Sequence, residues 1–136
     1  MRLVKQTAFL IFLLYLGCSA SFIHYYDPTT YKNLTDLKPE VAALYESFME
    51  EEIDKKAIAA IRLELAQVFE YEKGKGESNH ETARQIELIR KMFETHVQER
   101  LKNGQWSEAN LQNRKENIED AFDIAISTER LKNKNE

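Results

Sequence analysis

The side chains in this sequence that could do chemistry are three histidines (His24, His80 and His96), one cysteine (Cys18), the methionines Met49 and Met92, and a surplus of carboxylates. A di-iron centre in a helical bundle needs two Glu-x-x-His pairs and two further inward glutamates. Glu77-Ser78-Asn79-His80 has that spacing, but Phe93 stands three residues before His96. The ligand count fails, so no metal site is expected. Haem could be held between His96 and Met49 or Met92, and a Cys-x-x-Cys-His attachment motif is absent. His96 lies between Phe93 and Val97 on the edge of an apolar stripe. There a histidine satisfied by a neighbour, with methionines filling core gaps, is the simpler expectation. Nucleophilic catalysis needs a Ser or Cys beside a base and an orienting third group, and the histidines occupy unrelated local contexts. No catalytic residue and no cofactor are expected.

Two further features invite a binding reading. Glu70-Tyr71-Glu72-Lys73-Gly74-Lys75-Gly76 could offer amides and ammonium groups to a phosphate, but it lacks the G-x-x-x-x-G-K-[ST] spacing of a P-loop. A helix end whose lysines complement the dipole explains it better. Trp106 could anchor a partner, as tryptophans do at interaction hot spots, or could staple onto Leu111 at the start of a helix. Asn33-Leu34-Thr35 is a glycosylation sequon that matters only in a host that glycosylates exported proteins.

Composition narrows the class. A chain of 136 residues suits one domain, and four glycines with two prolines are too few for a turn-dense β-protein. One cysteine excludes an intramolecular disulfide. A formal charge of −4 argues against nucleic-acid binding, which needs a basic surface to displace counterions.

The body reads as amphipathic helices. Asp27-Pro28 is a helix start, with Asp27 as N-cap and proline where its missing N–H costs nothing. Leu34 and Leu37, then Val41, Leu44, Tyr45 and Phe48, form its stripe, and Pro39 either kinks this helix or opens a new one. Residues 40 to 73 contain neither Gly nor Pro, yet one rod does not fit them. At about 100° per residue, Leu44, Tyr45 and Phe48 fall within about 60° of Val41, whereas Ala57, Ile61, Leu65 and Val68 fall about 160–240° away. The stripe changes sides near residues 50–54, so a turn is expected there, with Asp54 capping the next helix. Gly74-Lys75-Gly76 ends the second helix. Ser78-Asn79-His80-Glu81 matches a capping box for the third, whose buried face is Ile86, Ile89, Phe93, Val97 and Leu101. Asn103-Gly104 ends it, and Ser107 caps a fourth helix with Leu111, Ile118, Phe122 and Ala125 inward. The expected fold is all-α: an up-down four-helix bundle with the first helix kinked at Pro39. Three helices with one long bent member is the alternative.

The start of the chain reads as an address. Arg2 and Lys5 precede nine apolar residues, Ala8 to Leu16, too short a run to span a bilayer. Leu14-Tyr15-Leu16-Gly17-Cys18 resembles the lipobox of bacterial lipoproteins, with Tyr15 and Leu16 departing from its usual order. The resemblance implies a signal peptide over 1–17 and lipid attachment at Cys18. With Ser19 following, it also implies an outer-membrane address facing the periplasm. Cleavage after Ala20, or an uncleaved anchor extended by Phe22 and Ile23, are the alternatives. Removal of 1–17 takes away Arg2 and Lys5 and no acid, so the mature chain is more acidic and the anchor must hold it to the membrane.

The expected organisation is a tether over 18–27, a bundle over 28–131 and a polar tail over 132–136. The expected function is a non-catalytic, membrane-tethered interaction or accessory module of the bacterial cell envelope. An envelope protein would be met at the tip bearing Glu50, Glu51, Glu52 and Trp106. A periplasmic or secreted helical carrier of haem or another small ligand is the alternative.

Overall fold

The computed structural model describes residues 25–132. The expected signal over 1–17, Cys18 and most of the expected tether, like residues 133–136, lie outside the described residues. Four helices make up the fold: α1 Pro28–Ser47, α2 Lys55–Gly74, α3 His80–Asn103 and α4 Glu108–Arg130, with a 3-10 turn over Glu77–Asn79 before α3. Consecutive helices pack against each other, and α4 packs back on α1. Short connections make the neighbours antiparallel, and the result is an up-down four-helix bundle. Among these residues no helix is long and apolar enough to cross a membrane.

The caps follow from local chemistry. Asp27 accepts the Thr29 N–H, with Pro28 at the first helical position. Asp54 accepts the N–H groups of Lys56 and Ala57, and Ser107 accepts that of Asn110. Pro39 stands inside α1, which continues to Ser47 as one helix, so Pro39 opens no new helix. The N-cap expected at Ser78 is displaced by one residue, to Asn79. α3 begins at His80, its N-cap Asn79 makes no side-chain capping bond, and the Glu81 carboxylate is taken by Arg84 and Gln85.

The turn between α1 and α2 falls at residues 48–54, where the phase of the apolar stripe changes. Both stripes therefore face one interior. Leu34, Leu37, Val41, Leu44, Tyr45 and Phe48 from α1 meet Ile58, Ile61, Leu65 and Val68 from α2. Ile86, Ile89, Phe93 and Val97 from α3 and Ile118, Phe122 and Ala125 from α4 complete the core. Leu101 departs from expectation: it is 45% exposed, because Arg100 beside it takes the inward place and is 3% exposed.

Gly76 and Gly104 close the α2 and α3 ends with φ of +81° and ψ of −165° and −160°. This is the extended mirror region, which a Cβ disfavours. No heavy atom stands within 4 Å of where a Cβ would go at either position. An alanine at 76 or 104 therefore meets only backbone strain. Each substitution is expected to lower stability by about 1 kcal/mol, read as a shift in the urea midpoint at unchanged slope.

Candidate functional site

Polar and charged side chains are buried at both ends of the bundle, and these ends contain most of the residues that could act. At the end where the chain enters, Thr30 of α1, Glu72 of α2, Thr82 of α3 and Glu129 of α4 are each 0% exposed. Every helix contributes one residue to this layer. The Thr30 hydroxyl donates to Glu72 Oε1. Lys75 Nζ donates to Glu72 Oε1 at 2.6 Å and to Thr30 Oγ1 at 2.5 Å, and pairs with Asp27 Oδ2 at 2.5 Å. Glu129 Oε1 accepts the Asp27 backbone N–H at 2.7 Å, and its Oε2 accepts from Lys132 Nζ at 2.6 Å. Lys132 also donates to Asn79 Oδ1 at 2.7 Å, so it belongs to the folded network and not to a free tail.

Asp27 therefore does more than cap α1. Burial on its own would raise its carboxyl pKa, but hydrogen bonds from Lys75, Tyr71 and the Thr29 N–H hold it well below the usual carboxylate range. Burial would likewise depress Lys75, and its hydrogen bonds to Asp27 and Glu72 raise it instead. The phosphate reading of Gly74-Lys75-Gly76 fails in the fold for the same reason: the Lys75 ammonium is committed to two carboxylates and a hydroxyl.

The opposite end carries the α1–α2 turn. Arg100 donates from Nε to the Phe48 carbonyl at 2.8 Å and from Nη2 to the Glu50 carbonyl at 2.6 Å. A longer Nη2 contact reaches the Glu51 carbonyl at 3.3 Å. The Trp106 backbone N–H donates to the same Phe48 carbonyl at 3.0 Å, and Gln105 Nε2 to that of Met49 at 3.2 Å. The turn backbone is thus fixed while the Glu50, Glu51 and Glu52 side chains stay in solvent.

Trp106 is not the surface anchor expected of it. The indole is 6% exposed and lies edge-on to Tyr45 and Phe48 at centroid distances of 5.1 and 4.9 Å. The Arg114 guanidinium stands 5.7 Å above it. An indole held on several sides by rings and a guanidinium is a core residue, so only the three glutamates of the expected partner tip face outward.

His96 sits within the same ring cluster, 6% exposed, its Nδ1 hydrogen-bonded to the Tyr45 hydroxyl at 2.9 Å. Burial is the main force on its pKa, helped by Arg114 and opposed by Glu99, and the imidazole is lowered to about 4. Burial also raises the Tyr45 phenol far above its ordinary value. Of the side chains that could ligate haem, His96 gives Nδ1 to the Tyr45 hydroxyl, Met49 is 40% exposed, and Met92, four residues before His96 on the same helix, packs against the core. Glu77 and His80 are both exposed at the α3 start, and no group of three or more His, Cys, Asp or Glu among the described residues is placed to hold a metal.

Grooves run along the bundle surface. One of about 350 Å³ between α2 and α3 is lined by Arg62, Leu65, Arg90, Phe93 and Glu94. Its cations are occupied: Arg62 makes two 2.7 Å hydrogen bonds to Glu94, and Arg90 lies 4.8 Å above the Phe69 ring. Between α1 and α2, Glu40 is raised from the ordinary carboxyl value by burial first, then by the charge of Glu64, by a hydrogen bond to it, and by Asp36. A raised native pKa contributes stability at low pH that is lost as pH rises through it. Glu40→Gln is therefore expected to raise the melting temperature by about 1–3 °C at pH 7 and to change little at pH 4, measured by thermal circular dichroism.

Sequence reasoning missed the buried charges, Glu72, Glu129 and Arg100, although each lies in phase with its helix's apolar stripe. Comparison with protein-family models, with curated proteins and with solved structures finds no match to this chain.

Proposed function

We propose that the chain is a non-catalytic, membrane-tethered interaction module of the bacterial cell envelope, presenting the Glu50–Glu52 turn to a partner. The observation that carries this reading is the division of labour between the two ends. Asp27, the last residue before α1, is bound into one end through Lys75, Tyr71 and Glu129. The three exposed glutamates stand at the other, on a backbone pinned by Arg100. A lipidated Cys18 would place the acidic tip a full helix length from the bilayer, about 30 Å for 20 residues. The groups that could do chemistry support the non-catalytic part: His96, Lys75, Glu129 and Arg100 are each committed to internal hydrogen bonds.

Two measurements test it. Intact mass of the full chain extracted from membranes is expected to show a mature N-terminus at Cys18 carrying acyl groups. An unmodified chain cleaved after Ala20 would remove the tether. A photo-crosslinker at position 51 is expected to trap an envelope protein, and Glu50→Lys with Glu52→Lys is expected to abolish the adduct. A crosslink indifferent to that charge reversal would overturn the acidic tip as the recognition surface. A Soret band in the purified protein would favour haem carriage instead.

A further inference from the structure

Three buried oxygens at the chain-entry end have no hydrogen-bond partner: Glu72 Oε2, Thr82 Oγ1 and Gln85 Oε1. Glu72 and Thr82 are 0% exposed and stand two residues from the facing ends of α2 and α3, so the connection between these helices brings them to one level. Gln85 follows Thr82 by three positions, on the same face of α3. Its amide orientation is set by its other contacts. The Thr128 hydroxyl already donates to the Ile124 carbonyl, so it must accept from Gln85, whose Nε2 lies 3.0 Å away. The same Nε2 donates to Glu81 Oε1 at 3.1 Å, which leaves Gln85 Oε1 as the free acceptor.

We propose that these three oxygens form a binding site for a single internal water, which joins the two halves of the polar layer. The hydrogen-bond inventory matches that ligand. Glu72 Oε2 and Gln85 Oε1 can only accept, and the Thr82 hydroxyl can donate. One water accepts from Thr82 and gives its two protons to Glu72 and Gln85, making the three bonds typical of buried water. A direct Thr82–Glu72 hydrogen bond would still leave Gln85 Oε1 unpaired, at the cost of a desolvated acceptor. A monovalent cation suits the same oxygens less well, because Lys75 Nζ already stands 2.6 Å from the Glu72 carboxylate and would repel it. With the water bound, the Asp27–Thr30–Glu72–Lys75 group connects to the Gln85–Thr128 pair, and the layer runs through all four helices. This site goes beyond the interaction function and does not depend on it.

Water-selected NOE spectroscopy of the full chain tests the proposal. Long-lived water cross-peaks are expected at the Thr82 methyl and at the Ala83 amide in the wild type, that at the Ala83 amide being retained in Thr82→Ser, which has no γ-methyl, and lost in Thr82→Val. Their absence from the wild-type spectrum would overturn the site even if the valine variant failed to fold. Cross-peaks in wild type that persist in a folded Thr82→Val would place the water elsewhere and overturn it too. Cross-peaks that weaken with added ammonium or sodium chloride, while indifferent to choline chloride, would identify a cation as the ligand and also overturn it.

Discussion

Arg100→Met is expected to lower stability by about 2–4 kcal/mol and the melting temperature by about 10–20 °C. Methionine is long enough to replace the aliphatic stem, so the loss belongs mainly to the guanidinium. That group serves two strong acceptors, the Phe48 and Glu50 carbonyls, and one longer contact to Glu51. The Phe48 carbonyl keeps the Trp106 backbone N–H after substitution. Those of Glu50 and Glu51 sit in an exposed turn where water can replace the arginine, which places the cost below that of stranding three buried acceptors. The local effect is expected to exceed the global one. Amide exchange at residues 48–54 should rise beyond what the fall in global stability predicts, because the turn loses its tie to α3 before the bundle opens. Arg100→Lys restores the charge but not the fork, and is expected to recover part of the stability and little of the protection. An unchanged melting temperature in Arg100→Met would show that Trp106 and Gln105 hold the turn without it.

The reason Arg100 escaped the sequence reading also explains what was legible. The α1–α2 turn could be read because geometry alone forces it: two apolar stripes on opposite sides of a continuous rod cannot share one interior. Asp27, Asp54 and Ser107 could be read because a cap is a local transaction between one side chain and the next turn's N–H groups. The capping box at Ser78 also rested on local spacing, but the 3-10 turn over Glu77–Asn79 shifted the helix start beyond it. The buried charges depended on partners distant in sequence. Position 100 lies in phase with Phe93 and Val97, and position 72 follows Leu65 and Val68 by seven and four, so periodicity pointed inward at both. Their polarity argued the reverse. What settles the matter is a counter-group on another helix or turn: the Phe48 and Glu50 carbonyls for Arg100, Thr30 for Glu72, and the Asp27 N–H for Glu129. The two glutamates share a pattern that becomes meaningful once the fold is known. Leu65, Val68, Glu72 and Lys75 repeat the spacing of Phe122, Ala125, Glu129 and Lys132, each lysine closing over a carboxylate at its own helix end. Trp106 illustrates the converse, an apolar residue beside a loop that is buried edge-on against Tyr45 and Phe48, rings some sixty residues away in sequence.

Acid is expected to weaken the bundle through His96 before it reaches the paired carboxylates. The unfolded imidazole titrates near 6.5 and the folded one at about 4, so between these values the unfolded chain binds the additional proton. Stability is complete above the unfolded value and declines as pH falls towards the folded one. At about 1.36 kcal/mol per unit, the loss between pH 7 and pH 4 is expected to be about 2–3 kcal/mol. Asp27 acts in a different window. Its carboxyl lies below the ordinary value of 3.8, so the stability it contributes is lost only below that pH. Urea unfolding of the wild type from pH 7.5 to 4 should therefore show a declining midpoint, and His96→Asn a nearly level one from a lower start. Asparagine keeps a polar group near the Tyr45 hydroxyl without titrating in this range, so the comparison isolates the proton from the packing. Parallel slopes in the two proteins would assign the acid sensitivity to other groups. A directly measured His96 ring titration near 6.5 would mean that the imidazole is hydrated, and that the Tyr45–Trp106 cluster does not close over it.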